Sequence, residues 1–363
     1  MQTVCDVLFI GAGPAGSMAA KTCAGKGVSV ILVEKRAQAG VPVQCAEYVP
    51  WQITREVKLP EAVIAQRIIS MRTYMPDGEM VETHAKGFII HRDLFDQYLV
   101  GMAIEAGTRV CLQTRAIGYE NGVVIAKDES QTMQIKAKII VGADGPYSTV
   151  GKWMDSQNTK FVHTAQYQMP LCNGLYSTEV YFRRDIPGGY GWVFPKGETA
   201  NVGVGVDLQF GVGPAETLNN FVEYLRKERV IEGEQMGVTG GAIPVNGLLP
   251  KLWKQNMLLV GDAAGMAHPI TGAGVSNAVL CGQIAGEIAG NAVLENNLDI
   301  LSEYEKECRM LLGDSLMRAF QKRKDIELHW NDSDEGLSKA LRSGWIAFED
   351  KDISRKWEVG SGK

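Results

Sequence analysis

Residues 4–35 read VCDVLFIGAGPAGSMAAKTCAGKGVSVILVEK, and no other stretch narrows the fold of this chain so far. An apolar run ends at Gly11, a glycine-rich turn and an alanine-rich segment of helical length follow, and a second apolar run stops at an acid, Glu34. Such a pattern predicts a parallel β-α-β unit with a dinucleotide at its turn. Gly11 allows the tight exit from the strand, Gly13 leaves bare backbone for a pyrophosphate, and Gly16 lets helix and strand pack closely. Pro14 and Ala15 open the helix, whose unpaired N–H groups and partial positive charge face the phosphates. Glu34, with Lys35 beside it, stands at the tip of the second strand, where a carboxylate reaches both ribose hydroxyls. At this point a nicotinamide dinucleotide and FAD fit equally well.

The rest of the chain extends the α/β reading. With 363 residues it exceeds the usual size of one domain, and 45% apolar with 22% charged residues describes a globular protein. A net charge of -5 offers no electrostatic footprint for nucleic acid. Seven scattered cysteines without a CxxC pair speak against a disulfide framework and against a zinc site, and fit a reducing compartment. Asp6 comes early, no basic leader precedes it, and the small apolar stretch 271–294 is interrupted by Asn277, Gln283 and Glu287. A cytoplasmic chain is expected, with no signal peptide and no membrane span, and with peripheral membrane contact left open.

Residues 91–107 read as a helix carrying Leu94, Phe95, Tyr98, Leu99, Met102 and Ala103 on one side, and Asn121-Gly122 marks a hairpin inside 109–127. From about 160 to 250 the texture turns to β, with a helix at 215–229, and 257–262 (MLLVGD) resumes the buried parallel style. The expected division is a discontinuous nucleotide-binding domain (1–60, 91–158 and 253–300), an inserted mixed or antiparallel substrate sheet (61–90 and 159–252) and a helical C-terminal region (301–363). The tail is expected to be helical over 300–356, with Gln321-Lys-Arg-Lys-Asp325 on a solvated face.

A second glycine-rich junction, GDAAGMAHPITGAGVSN at 261–277, also follows an apolar strand and opens a helix. From Gly261-Asp262 a carboxylate can reach a ribityl or ribose hydroxyl. Beyond Pro269, the small residues Gly272, Ala273 and Gly274 aim a helix start at an anion or a ring carbonyl. A simple nicotinamide dehydrogenase has no need of this distant element, whereas FAD, with its two ends far apart, does. Together with GADGPYS at 142–148, which carries Asp144 and Gly145, the segment resembles the paired FAD motifs of the flavoprotein superfamily that includes p-hydroxybenzoate hydroxylase. Arg92, in HRDLFDQYL, matches a position that contacts FAD in that superfamily. The resemblance implies a Rossmann-like FAD-binding fold over most of the chain.

Two strings narrow the resemblance to the geranylgeranyl reductase family. Tyr190-Gly-Trp192-Val-Phe194-Pro195 puts three aromatics on one face of a strand and is similar to that family's YxWxFP signature, which lines the cavity over the flavin. Pro42-Val-Gln-Cys45-Ala46-Glu47-Tyr48 resembles the loop whose cysteine faces flavin and substrate. The resemblance implies Cys45, Tyr190 and Trp192 as catalytic residues. Cys45 would be a proton donor or a flavin-facing polarisable group, Glu47 its acid neighbour, and Cys45 and Ala46 would lie against FAD. The chain departs from the family in a short C-terminal region and in Tyr48-Val-Pro-Trp51, where a glycine is common. Gly265 after GDAA is closer to the reductases than to the hydroxylases, which carry a histidine there, and His268 is expected to be structural. The implied activity is FAD-dependent reduction of C=C bonds in a bulky, prenyl-type apolar substrate. NAD(P)H or another reductant would act as donor, since Gly203-Val204-Gly205 lies in β-type sequence and no second dinucleotide fingerprint is visible. The alternative is a flavin monooxygenase hydroxylating an aromatic ring, including a Trp or Tyr side chain of a partner oxidase, because bacterial quinone-cofactor maturation flavoproteins also resemble this family. A non-catalytic flavin-binding module is the remaining class.

Overall fold

Continuous apolar runs belong in strands covered on both faces, and Val7, Leu8, Phe9 and Leu32 are fully buried in this way. The computed structural model describes residues 2–348. The chain runs β1 (Gln2–Ile10), α1 (Pro14–Ala24), β2 (Val30–Val33), β3 (Tyr48–Pro50), β4 (Ile64–Tyr74), β5 (Met80–Ile90), α2 (Arg92–Glu105), β6 (Arg109–Cys111), β7 (Arg115–Glu120), β8 (Val123–Lys127), β9 (Thr132–Gly142) and α3 (Thr149–Trp153). It continues with β10 (Phe161–Pro170), β11 (Ser177–Tyr181), β12 (Tyr190–Lys196), β13 (Thr199–Val206), α4 (Pro214–Lys227), β14 (Gly237–Pro244), β15 (Trp253–Lys254), β16 (Met257–Leu259), α5 (Val275–Leu294), α6 (Leu301–Cys308), α7 (Asp314–Leu328) and α8 (Asp334–Gly344).

The first sheet has the order β15-β16-β9-β1-β2-β6, and β8 and β7 extend from β9. Its centre is parallel: β1 pairs with both β2 and β9, and β9 with β16. Residues about 250 apart in sequence are thereby brought side by side. The β7–β8 hairpin turns at Asn121-Gly122, both in the left-handed region, as a two-residue turn requires. Helices α1 and α5 approach so closely that a Cβ on Gly282 would lie 2.5 Å from the Ala15 carbonyl oxygen, and one on Gly286 2.2 Å from that of Ala19. Small residues at four-residue spacing are what this contact demands.

The second sheet has the order β14-β10-β13-β12-β11-β4-β5-β3, antiparallel except where β11 runs parallel to β4. One face buries Val193, Val202, Val204 and Val206 against Leu218, Phe221 and Leu225 of α4. The other carries Ile68, Met71, Val180, Phe182, Trp192 and Phe194, and it is covered by Ile326 of α7, Trp330 between the helices, Leu337 and Leu341 of α8, and Trp345 after it. Each such large side chain taken out of water contributes about 1.5–3 kcal/mol. The division into a discontinuous FAD-binding unit and an inserted sheet unit stays a proposal, and β3 pairs with β5 of the second sheet.

Two expectations need correction. Leu94 is exposed, because the buried stripe of α2 runs through Phe95, Leu99 and Ala103, the 3–4 spacing that faces α1. The basic run at 321–325 is not uniformly solvated. Arg323 is only 6% exposed, and its guanidinium donates to the Gly188 carbonyl at 2.7 Å and the Pro269 carbonyl at 3.1 Å. It also pairs with Glu327 at 2.7 Å and Asp207 at 3.5 Å. Helical periodicity turns one residue of that run inward, where its charge is met on several sides. Residues 349–356 of the expected helical tail lie outside the described residues.

Candidate active site

The β1–α1 turn is shaped by what cannot be there. Gly11 has φ +104, and a Cβ on it would lie 2.3 Å from the Ala143 carbonyl oxygen, while one on Gly16 would sit 1.9 Å from the Gly11 carbonyl oxygen. Gly13 has the opposite character, with nothing within 4 Å of its Cβ position, and it caps α1 without any side-chain hydrogen bond. The first-turn N–H groups of α1 therefore face open space at the place a pyrophosphate needs. Pro14 is half-buried and Ala15 buried at the start of that helix, and Lys35 is exposed past Glu34. Glu34 is 8% exposed, and its carboxylate accepts from Ala12 N at 2.8 Å and Arg36 N at 2.9 Å. It closes the turn as well as presenting an acid at the strand tip.

Asp144 and Gly145 follow β9 directly beside Gly11. The Asp144 carboxylate accepts from Ser148 Oγ at 2.5 Å and from Thr149 N at 2.6 Å, so it holds the first turn of α3 together with the capping residue Ser148, whose Oγ accepts from Gly151 N at 2.8 Å. Burial pushes its pKa up against those hydrogen bonds. Asn158 ties this turn to the other junction, donating to the carbonyls of Pro146 at 3.1 Å and Asp262 at 2.8 Å. Gly261 sits against Ala15, where an added Cβ would meet the Ala15 Cβ at 2.9 Å. Burial raises the Asp262 carboxyl to about 6, with Arg92 pulling it back down. At the far end, Gly274 caps α5 with no side-chain hydrogen bond, and the Ser276 hydroxyl in the first turn is buried without a partner. Gly272 and Ala273 lead into that helix start, and buried Pro269 precedes them. His268 is structural: Nδ1 accepts from Ile270 N at 3.3 Å and Thr271 N at 3.2 Å, and burial lowers its pKa to about 4.

Two uncapped helix starts, an open glycine cradle and an orphaned hydroxyl fit a long, doubly charged dinucleotide held at both ends. The donor set suits FAD.

The Cys45 loop is held from several sides. The Cys45 sulfur accepts from Glu47 N at 3.2 Å. The charge of Arg92 acts on it as well: burial opposes that charge, and Asp96 and then Cys45 outweigh the penalty and push the Arg92 pKa up. Arg92 also forks onto Asp96, with both bonds at 3.0 Å. Gln166 of β10 donates to the Cys45 carbonyl at 3.2 Å while accepting from Trp192 Nε1 at 2.9 Å. Asn201 of β13 donates to the Ala46 carbonyl at 3.2 Å. Tyr190 donates to the Thr271 carbonyl at 2.5 Å, joining the aromatic strand to the loop that starts α5. Tyr190 and Trp192 lie 6.1 Å apart, centroid to centroid, on the expected shared face with Phe194.

Glu47 differs from its expected part as an acid neighbour. It is 2% exposed at φ +72, a conformation that costs a non-glycine residue about 1–3 kcal/mol. Its carboxylate accepts from Lys196 Nζ at 2.6 Å, Asn201 Nδ2 at 2.8 Å and Arg92 N at 2.9 Å. All three bonds to this carboxylate are accepted from donors, so its place in the site is that of an acceptor. Gln166, Lys196 and Asn201 did not stand out in the sequence. Their only signal was a polar residue at an inward position of a strand, and no spacing rule links such residues to a loop about 120–155 positions away.

Fold and site define an FAD-dependent oxidoreductase, and residues 6–146 match the model of the FAD dependent oxidoreductase family. Residues 162–242 match the geranylgeranyl reductase catalytic domain. The chain belongs to the geranylgeranyl reductase family: it is 38% identical to a digeranylgeranylglycerophospholipid reductase of Methanocella arvoryzae over 98% of this chain and 95% of that one. A crystal structure of a geranylgeranyl bacteriochlorophyll reductase-like protein from Thermoplasma acidophilum superposes with a TM-score of 0.83 at 26% identity, covering 99% of this chain and 100% of that one. The p-nitrophenol 4-monooxygenase of Pseudomonas putida shares the fold alone, with TM-score 0.74, 15% identity and full coverage of both chains.

Proposed function

We propose that this enzyme reduces C=C bonds in the prenyl chains of a lipid, using FAD held along the two glycine-rich junctions. The single observation that carries the substrate is the likeness, over nearly the whole chain, to reductases named for digeranylgeranylglycerophospholipid. Gly11, Gly13, Pro14, Ala15 and Gly16 would hold the pyrophosphate and Glu34 and Lys35 the adenosine end. Arg92, Asp144, Gly145, Gly261, Asp262, Pro269, Gly272, Ala273 and Gly274 would hold the remainder. When bound, FAD supplies hydride chemistry, with NAD(P)H or another reductant refilling it.

Cys45 is the proposed proton donor to the second carbon of the double bond. The sulfur left negative by that transfer faces the Arg92 guanidinium and the Glu47 N–H, both of which stabilise it. Ala46 carries the loop backbone past the cofactor. Tyr190 and Trp192 would form the apolar wall that excludes water, backed by the packed cluster that includes Phe194, Trp330 and Trp345. No helix among the described residues is long and apolar enough to cross a membrane.

Anaerobic incubation of the enzyme with a chemical reductant and a geranylgeranyl-chain phospholipid tests this reading. Product lipids heavier by two hydrogens per reduced bond are expected. Unchanged lipid under those conditions, or an oxygen-containing product only in air, would overturn it in favour of the monooxygenase alternative.

A further inference from the structure

Charged groups cost least when solvated, yet the enzyme buries an ion pair directly behind Cys45. Glu47 and Lys196 meet at 2.6 Å with side chains only 2% and 15% exposed. Such a pair adds little net stability over well-packed apolar residues, so its presence calls for another reason. The two residues belong to different parts of the molecule: Glu47 to the Cys45 loop and Lys196 to the end of β12, the strand that begins at Tyr190. Every polar atom of Glu47 is used. Its N–H goes to the Cys45 sulfur, its carbonyl accepts from Ile90 N at 3.0 Å, and its carboxylate takes Lys196, Asn201 and the Arg92 N–H.

The last of these bonds matters most. Arg92 is the first residue of α2, so the carboxylate fixes the start of the helix that brings the Arg92 charge to bear on the same sulfur. One residue, held in a left-handed conformation, thus sets the N–H that Cys45 accepts and the start of the helix that carries Arg92. We infer that the Glu47–Lys196 pair is a positioning device that orients the Cys45 thiol and balances the charge around it. It rests on the proposed role of Cys45, yet it concerns the state of the sulfur and can be read without turnover. The charged groups that bear on this sulfur and its loop are Arg92 and Asp96 from α2, Glu47 in the loop, Lys196 from β12, Arg36 after β2, which donates to Gln44 and the Pro42 carbonyl, and Asp262 acting through Arg92.

The two charges predict opposite outcomes when removed singly. Lys196→Met leaves an unpaired buried carboxylate two residues from Cys45 and disfavours the thiolate, whereas Glu47→Gln leaves an unpaired buried ammonium and favours it. The test is the pH dependence of Cys45 alkylation by iodoacetamide in the FAD-loaded enzyme, followed by mass spectrometry of the peptide that contains Cys45. The midpoint should rise by about half a pH unit or more in Lys196→Met and fall by a similar amount in Glu47→Gln. Both variants should retain FAD. Asn201→Ser, which removes one donor and no charge, should change the alkylation rate without moving the midpoint. Midpoints that stay at the wild-type value, or that move in the same direction in both charge variants, would overturn the inference. Opposite shifts with undiminished turnover would keep the positioning role and remove Cys45 from the chemistry. If either charge variant fails to fold, Lys196→Arg keeps the question open to decision: wild-type midpoint and turnover are expected, and loss of either contradicts the pair as described.

Discussion

The β1–α1 turn and the Cys45 loop do comparable work by opposite means. At the turn, function comes from missing side chains: a Cβ on Gly16 would lie 1.9 Å from the Gly11 carbonyl oxygen, and Gly13 faces open space. At the loop, function comes from side chains reaching in from afar, Gln166, Lys196 and Asn201 among them. A site made of backbone has one solution and leaves a fixed spacing behind. A site made of converging side chains has many, and leaves almost none.

This difference predicts that damage to the first region removes the cofactor, while damage to the second spares the cofactor and removes turnover. The largest effect belongs to Gly16→Val. A branched side chain cannot enter the Gly11–Gly16 contact, so a loss above about 4 kcal/mol is expected, seen as absence of folded, FAD-bearing protein in thermal unfolding and absorbance. Recovery of flavin-loaded Gly16→Val would break the comparison at its base. Next comes Arg323→Met, which strips a buried cation from the Gly188 and Pro269 carbonyls and leaves Glu327 and Asp207 without it. About 3 kcal/mol of stability should be lost in denaturant titration. Because Pro269 lies in the loop that leads into α5 and Gly188 just before the aromatic strand, FAD affinity and turnover should both fall.

A smaller effect follows from His268. Its pKa falls from about 6.5 unfolded to about 4 folded, so the unfolded chain binds a proton first as pH drops, and stability is lost between those two values. His268→Asn keeps an acceptor for Ile270 N and Thr271 N without the titration. The stability difference between wild type and variant should shift by about 2 kcal/mol against the wild type between pH 6.5 and pH 4. Asp262 acts in the opposite sense: its folded value near 6 lies above the unfolded one, so its contribution is present at low pH and lost as pH rises towards 6. Measuring the difference between two proteins cancels Asp262, and a flat difference would contradict the burial assigned to His268. The smallest effect is expected of Trp192→Phe, which keeps the packing and loses the bond to Gln166. It should cost about 1 kcal/mol in unfolding, with FAD content unchanged and turnover reduced because Gln166 also holds the Cys45 carbonyl.

The same contrast explains what could be read in the chain. The α/β architecture, the hairpin at Asn121-Gly122 and both glycine-rich strand-to-helix junctions were legible, since each depends on local spacing and on residues small enough to let backbone approach. The placement of Tyr190, Trp192 and Phe194 on one face follows from strand periodicity alone. Glu47 was legible as a residue of interest but not in its role, because only the fold shows Lys196 and Asn201 closing over it. Arg323 was hidden in a basic run, where helical phase rather than composition decides which of three cations turns inward.

The central claim is that Cys45 supplies the proton while FAD supplies the hydride, and single-turnover kinetics address it most directly. Reduced wild-type enzyme and Cys45→Ala are mixed anaerobically with a geranylgeranyl-chain phospholipid, and reoxidation of the flavin is followed by its absorbance. We predict equal FAD occupancy and a reoxidation rate lower by roughly 100-fold or more in Cys45→Ala, the usual scale for losing a positioned general acid. Equal rates in the two proteins would contradict the account and return Cys45 to packing.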